Sequence, residues 1–284
     1  MNTRIFFNLT VPHYLILIIF TTTSALLVLN PTLIYSTAPK LALTVVSLSF
    51  AVFGLNALNQ IYDIEIDRIS KPHRPIPSGK ISIRSVYIFS AMSFFIAFIL
   101  SLFSRTTPLV IFFVFLSVIY SVPPIRLKRY GISSNIVGGT LYGAVPFLSA
   151  AAITGSFSLA FFVFFYGAAI VLATFKDFED MPTERRLGIR TLPVMLGYER
   201  AKQFVVYSLF SLLVFMLLST GLIRSIFILP TLASLLLLSF IGKMNFNVKN
   251  VVSQSPNVTK GMVIIVLMEI AYGITSFFAG LPVP

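Results

Sequence analysis

The sequence predicts an all-α polytopic membrane protein: nine transmembrane helices around a central cavity, arranged as two four-helix pseudo-repeats plus one. Three observations lead there. Of 284 residues, 57 % are hydrophobic and 11 % charged, and the mean hydropathy is +0.93, outside the usual range of soluble domains. Apolar runs of roughly 17–25 residues, long enough to cross a bilayer as helices, recur along the chain. The basic residues gather on alternate connections between those runs, as they do in proteins threaded through a membrane.

In chain order, the first run is 12–29. It is too long for a signal-peptide core and lacks a small-x-small exit, so it reads as an uncleaved span. The second, 41–61, leads directly into the polar stretch Asn59–Asp67. Lys71-Pro-His-Arg-Pro-Ile-Pro-Ser-Gly79 cannot continue a helix, because its prolines lack an N–H and its glycine has little helix propensity. The third run, 86–103, starts beyond it. The fourth, 108–122, stops at Pro123-Pro124; 135–153 and 157–175 are the fifth and sixth. Only Thr220, Gly221 and Arg224 separate the seventh, 203–221, from the eighth, 223–241, and 260–279 is the ninth. Every connection is short and none is a Ser/Gly linker, so residues 1–284 read as a single integral-membrane domain.

Charge gives the orientation. With nine spans and the N-terminus inside, eighteen of the twenty-one Lys and Arg residues fall on one set of connections, including Arg4 and Lys249; only Lys40, Arg105 and Arg224 fall on the other. That bias places the N-terminus and the acidic segments described next on the cytoplasmic side of the cell membrane. The net charge of +12 does not indicate nucleic acid, because the bases crowd around acids. With no Cys, disulfides, thiolate ligands and cysteine nucleophiles are excluded. His13 and His73 are too few for a haem or multi-His zinc site.

Seven of the nine carboxylates lie in two short clusters, Asp63, Glu65 and Asp67 beside Asn59, and Asp177, Glu179, Asp180 and Glu184. Acids are costly at membrane depth and mark functional positions. Asn59, Asp63 and Asp67 recur every four residues, so on a helix each is turned by about 40° from the last and all share one face. Asp180 and Glu184 repeat that spacing, with Asp177 a turn earlier. Such acids facing one another repel unless cations lie between them, and hard oxygen donors suit Mg2+, which keeps waters and binds substrate phosphates too. Arg68, Lys71, Arg74, Arg126, Lys128, Arg129, Lys176, Arg185 and Arg190 flank the acids, and a subset could hold a diphosphate. Glu65 and Glu179 fall off the ligand faces. Glu269, inside the ninth span, reads either as an interhelical hydrogen-bond partner or as catalytic. The 29 Phe residues read as lipid-facing or packing, with a fraction available to line an isoprenoid tunnel. The clusters close the second and sixth spans, and each is followed by Arg and then Pro three residues later (Arg74 and Pro77; Arg190 and Pro193). This is a weak parallel repeat.

Asn59-Gln-Ile-Tyr-Asp63-Ile-Glu-Ile-Asp67, followed by Arg68-Ile-Ser-Lys-Pro-His-Arg-Pro-Ile-Pro-Ser-Gly79, resembles the first signature of the UbiA superfamily of intramembrane prenyltransferases. Lys176-Asp-Phe-Glu-Asp180-Met-Pro-Thr-Glu184, followed by Leu187-Gly-Ile-Arg-Thr-Leu-Pro193, is similar to its second signature. Tyr120-Ser-Val-Pro-Pro-Ile-Arg-Leu-Lys-Arg129 is similar to a third common segment. The resemblance covers essentially the whole chain. One departure is Thr183-Glu184, where the second signature ends in Asp; Asp177 could share that ligand position. The resemblance implies Mg2+ held by Asn59, Asp63, Asp67, Asp177, Asp180 and Glu184. It also implies a prenyl diphosphate bound by Arg74, Arg126, Lys128, Arg190 and Tyr120, with Asp63, Asp67, Asp180 and Lys128 catalytic. The other partners implied are a lipophilic acceptor and membrane lipid, with no nucleic acid and no obligate protein partner. Among acceptors, geranylgeranylglyceryl phosphate stands first and an aromatic quinone precursor or related ring close behind. Read from the residues alone, a cation-coupled transporter is the alternative.

Overall fold

In lipid, every backbone N–H and C=O must be satisfied within the chain, so runs this apolar form helices. The computed structural model describes residues 3–11, 13–221, 225–244 and 256–280; Arg224 and Lys249 lie outside them. Helices follow in the order α1 Thr3–Thr10, α2 His13–Leu29, α3 Ile34–Tyr62, α4 Ile64–Ser70, α5 Ile83–Ser101 and α6 Thr107–Ser121. Next come α7 Gly131–Gly139, which passes through a π turn into α8 Val145–Thr154, then α9 Leu159–Arg186, α10 Leu192–Leu196, α11 Tyr198–Met216, α12 Ile228–Lys243 and α13 Pro256–Ala279. No strand occurs among the described residues.

Six helical runs are long and apolar enough to cross a membrane: Pro31–Tyr62, Ile83–Ser101, Gly131–Thr154, Leu159–Arg186, Tyr198–Ser219 and Lys260–Ala279. Three more, Tyr14–Leu29, Thr107–Ser121 and Ile228–Lys243, are apolar but shorter. They lie where 12–29, 108–122 and 223–241 were expected to span, so among the described residues six helical runs meet the length and composition of a span, and the expected count of nine is not confirmed. The predicted second and sixth spans are also too short: α3 runs through Pro39 and α9 continues to Arg186, carrying the second acidic cluster on helix.

The outside of the bundle is as apolar as the inside, as expected of a protein solvated by lipid. Phe95, Phe115 and Phe278 are 64 %, 57 % and 82 % exposed, whereas Phe147, Phe161, Phe164 and Phe165 are buried with Tyr272. α3 packs on α5, α2 on α8 and α13, and α9 between α7 and α11. Close approach of α7 and α9 depends on glycine: a Cβ at Gly139 would lie 2.3 Å from Ile170 Cγ1, and one at Gly143 2.7 Å from the Phe165 carbonyl oxygen.

The sequence reading did not anticipate α1. Its last carbonyls, which have no partner within the helix, accept from α3. Gln60 Nε2 donates to Asn8 and Leu9 at 3.0 and 3.2 Å, and Asn56 Nδ2 to Thr10 at 2.9 Å. Leu9 also joins Ala57, Ile61, Ile76 and Val86 in a small apolar cluster. The loop after the first acidic segment is therefore packed on the back of the helix that carries it.

Candidate active site

α3 does not continue unbroken through the first acidic segment. It ends at Tyr62, and Asp63, with φ −95° and ψ 11°, separates it from α4. The bonds from Asp63 N to Asn59 O and from Asp67 N to Asp63 O, both 2.8 Å, still bridge the break. The expectation of one regular helix face is corrected to that extent, while the four-residue rhythm survives. Ile61 and Ile66 are buried on other sides, and Glu65 is exposed, as its register requires.

Asp63 is 4 % exposed. It accepts a very short hydrogen bond from Lys128 Nζ and another from Arg126 Nη2 at 3.1 Å. Arg126 Nη2 also donates to the Tyr62 carbonyl at 2.5 Å. Burial pushes the Asp63 carboxyl up, but the adjoining Lys128 and Arg126 outweigh it and hold the group below its ordinary range. For Lys128, burial favours the neutral amine, yet the Asp63 charge prevails and raises it to about 12. Asp67 receives both its bonds from Arg74 Nη1, at 2.9 and 2.7 Å. Burial nevertheless leaves Asp67 above the usual carboxylate range, with Asp63 adding to the rise.

The second cluster meets the first across the loop. Lys71 Nζ, just beyond α4, lies 2.5 Å from Asp180 Oδ1 on α9. Residues 109 apart in sequence are thereby drawn into the same ion-pair network. Asp177 lies 3.7 Å from Lys176, and its second oxygen is buried without a hydrogen-bond partner. Glu184, 1 % exposed, accepts from Thr191 Oγ1 at 2.6 Å. The Asn59 amide oxygen accepts from Ser121 Oγ at 2.8 Å, which joins the end of α6 to α3. Among the described residues no three acids close around one point. Bases occupy the spaces between them, which resolves the repulsion expected from sequence.

Two expected members sit differently. Arg190 is exposed, and its carbonyl accepts from Gly131 N at 2.6 Å. Tyr120 is buried, and its hydroxyl pairs with Ser134 Oγ at 3.3 Å and accepts from Lys176 Nζ at 3.4 Å. Tyr120, Asn59 and Lys176 line a small cavity of about 40 Å³ together with Asn56, Leu55, Leu141 and Leu172. The aromatic residues lining it are Tyr14, Tyr120 and Tyr142. Tyr14 and Tyr142 stack with centroids 5.1 Å apart. Neither was legible in the sequence, because each stands alone in an apolar run. Lys71 was counted among the flanking bases, with no spacing that could identify Asp180 as its partner.

Glu269 is held by Thr21, whose Oγ1 donates to Oε2 at 2.7 Å, so the interhelical role is observed between α13 and α2. Glu269→Gln, which keeps an acceptor for Thr21, is expected to leave turnover unchanged. Glu269→Leu is expected to lower stability by about 1–3 kcal/mol through the bond lost and the donor left buried. Thermal unfolding in detergent, with turnover measured alongside, checks both; lost turnover in the Gln variant would restore a catalytic role.

Comparison with known proteins bears on the fold and the family. A solved structure of a UbiA homologue from Archaeoglobus fulgidus, bound to DMAPP and Mg2+, matches with a TM-score of 0.72 over 96 % of this chain and 99 % of its own. At 18 % identity that likeness is one of fold. Digeranylgeranylglyceryl phosphate synthase of Methanoculleus marisnigri is 33 % identical over 210 residues, 72 % of each chain. Chlorophyll synthase of Arabidopsis thaliana is 35 % identical over 157 residues, which is 51 % of this chain but 41 % of that protein. The chain thus spans about two-fifths of the plant relative. The family model described as the UbiA prenyltransferase family matches residues 17–264, and the chain belongs to that family.

Proposed function

We propose that the protein transfers a prenyl group from a prenyl diphosphate to a lipophilic acceptor and releases diphosphate. The observation that carries this reading is the junction of the two acidic clusters through Lys71 and Asp180. The family match supports it, as does the DMAPP and Mg2+ held by the Archaeoglobus homologue.

The donor set fits Mg2+. Asn59, Asp63, Asp67, Asp177, Asp180 and Glu184 offer hard oxygens, and the unpartnered Asp177 oxygen has no other claimant. Because no three acids converge among the described residues, diphosphate oxygens would complete the coordination, which is how this ion is commonly held beside phosphates. Bound there, Mg2+ would neutralise charge on the leaving diphosphate. Arg74, Arg126 and Lys128, already gathered at the carboxylates, would donate to the diphosphate oxygens. In the transfer, the allylic C–O bond breaks with its electron pair leaving on diphosphate. The acceptor's oxygen or ring carbon forms the new bond and sheds its proton. Fixed cations around the leaving group supply most of the stabilisation, and the apolar walls keep water from the allylic centre.

For the acceptor, we favour geranylgeranylglyceryl phosphate, with an aromatic quinone precursor or related ring close behind. The Methanoculleus relative supports the first and the shorter plant match a ring acceptor. The test is diphosphate release from geranylgeranyl diphosphate by purified protein, offered geranylgeranylglyceryl phosphate, homogentisate or 4-hydroxybenzoate in turn, with products identified by mass spectrometry. Release is expected with Mg2+ and not with EDTA. Absence of release with every pair, alongside ion flux in liposomes, would return the reading to transport. The basic loops are expected on the cytoplasmic side; labelling of cysteines introduced over 68–84 from outside the cell would contradict that.

A further inference from the structure

Four of the five acids in the donor set pair with a base. Asp63, Asp67, Asp177 and Asp180 each lie within 3.7 Å of a Lys or Arg nitrogen. Glu184 is as deeply buried, yet among the described residues its partner is a neutral group, the Thr191 hydroxyl at 2.6 Å. A hydroxyl bonded to a carboxylate makes a short, strong link. Thr191 opens α10, where a threonine hydroxyl ordinarily accepts from the second or third helical N–H. No such bond forms here; the hydroxyl is turned to Glu184 instead. Glu184 closes the turn after α9 a second way, its carbonyl accepting from Ile189 N at 2.9 Å.

That turn meets the other half of the site through the backbone. The Arg190 carbonyl, next to Thr191, accepts from Gly131 N at 2.6 Å, and Tyr130 and Arg190 form a parallel bridge. The close approach uses a glycine: φ at Gly131 is +36°, and a Cβ there would lie 3.0 Å from the Met195 sulfur and 3.4 Å from the Arg190 carbonyl oxygen. Just before the bridge, Tyr130 N donates to the Leu127 carbonyl and Arg129 N to that of Arg126, both at 3.0 Å. Arg126 and Lys128, which meet Asp63 at the first cluster, are thereby anchored to the turn that closes the second.

We propose that Glu184 is a positioning residue: bonded to Thr191, it sets the turn after α9, and through the Arg190–Gly131 bond it seats Arg126 and Lys128 on Asp63. Its oxygens are then not ligands of the ion, which leaves Asn59, Asp63, Asp67, Asp177 and Asp180 for that task. This rests on the transferase reading above, in which Arg126 and Lys128 grip the diphosphate. It also gives the departure from the family signature a physical reason. Glu reaches one methylene further than Asp, and here the carboxylate must meet a hydroxyl seven residues along the chain.

The test uses full-length protein in detergent. Because the chain has no cysteine, spin labels at Ile125→Cys and Arg186→Cys, both exposed positions, report the distance between the loop after α6 and the end of α9. Binding of geranylgeranyl thiolodiphosphate with Mg2+, and of Mn2+ in its place, is measured alongside. Thr191→Val is nearly isosteric and leaves the carboxylate free for a metal. It is expected to broaden the distance distribution and to weaken thiolodiphosphate binding about tenfold, the loss of one charge-assisted contact. Gly131→Ala should act the same way from the other side of the bridge. Glu184→Asp should weaken binding too, although it restores the signature residue, because the shorter side chain falls short of Thr191. Glu184→Gln, which keeps an acceptor at full reach, should leave the distribution narrow and Mn2+ affinity at the wild-type level. Loss of Mn2+ affinity in Glu184→Gln, with Thr191→Val binding as wild type, would overturn the proposal and make Glu184 a ligand. So would a distribution unchanged in both Thr191→Val and Gly131→Ala. Wild type that ignores thiolodiphosphate, with the Thr191→Val broadening intact, would sustain the positioning role and sink the transferase reading instead.

Discussion

Asp63→Ala is expected to abolish prenyl transfer and also to unfold the protein more readily, and the two losses have separable causes. Catalytically, the variant lacks a proposed metal ligand and the anchor that gathers Lys128 and Arg126; losing a preorganised group of this kind costs about 10²–10³-fold in turnover or more. Structurally, it strands Lys128, which is 7 % exposed, without its counter-ion. Breaking a buried pair from one side costs about 3–5 kcal/mol, whereas removing both partners is often nearly neutral. Asp63→Ala/Lys128→Met is therefore expected to recover most of the thermal stability and none of the activity. The stability difference also depends on pH. The Asp63 carboxyl sits below its ordinary range in the folded protein, so its stabilising contribution is present above the unfolded value, about 3.9, and fades as pH falls through the folded one. The gap between wild type and Asp63→Ala should close in acid. An unchanged melting temperature in the single variant would show that Lys128 finds other compensation, and near-normal turnover would remove Asp63 from the site.

What the sequence made legible follows from which forces act locally. Apolar runs must become helices in lipid, so most helix positions could be read directly, and the four-residue rhythm of Asn59, Asp63 and Asp67 survived the break at Asp63 because the bonds across it persist. The third dimension was less accessible. Nothing in the spacing announces that Lys71 reaches Asp180 or that Ser121 donates to Asn59, because those contacts depend on how α3, α6 and α9 cross. Arg190 shows what motif position leaves out: the turn after α9 presents its carbonyl to Gly131 and leaves the side chain exposed. Helix α1 escaped notice since its eight residues, Thr3–Thr10, are too few for a span.

The second large effect is expected far from any charge, at Gly143→Ala. A Cβ there would stand 2.6 Å from Ala169 Cβ, 2.7 Å from the Phe165 carbonyl oxygen and 3.2 Å from Tyr166 Cα. Two of those three atoms are backbone, which no rotamer change can move aside, so α9 must shift as a body away from the chain joining α7 to α8. Forcing extra volume into a close-packed contact costs about 1–3 kcal/mol. The functional cost follows from what α9 carries. Lys176, Asp177, Asp180 and Glu184 lie further along the same helix, and in the proposed site they would work only in register with Asp63 and Asp67 on neighbouring elements. A displacement approaching 1 Å between two halves of a site can cost about 10²-fold in turnover. Gly242→Ala in α12 is the control: its Cβ would meet nothing within 4 Å, and helix propensity favours alanine over glycine there by up to about 1 kcal/mol. Gly143→Ala should therefore melt lower and turn over slowly where Gly242→Ala melts at or above wild type with full activity. If the two behave alike, the contact between α9 and the π turn that follows α7 is loose enough to absorb a methyl group, and the second cluster is not being held in place by that crossing.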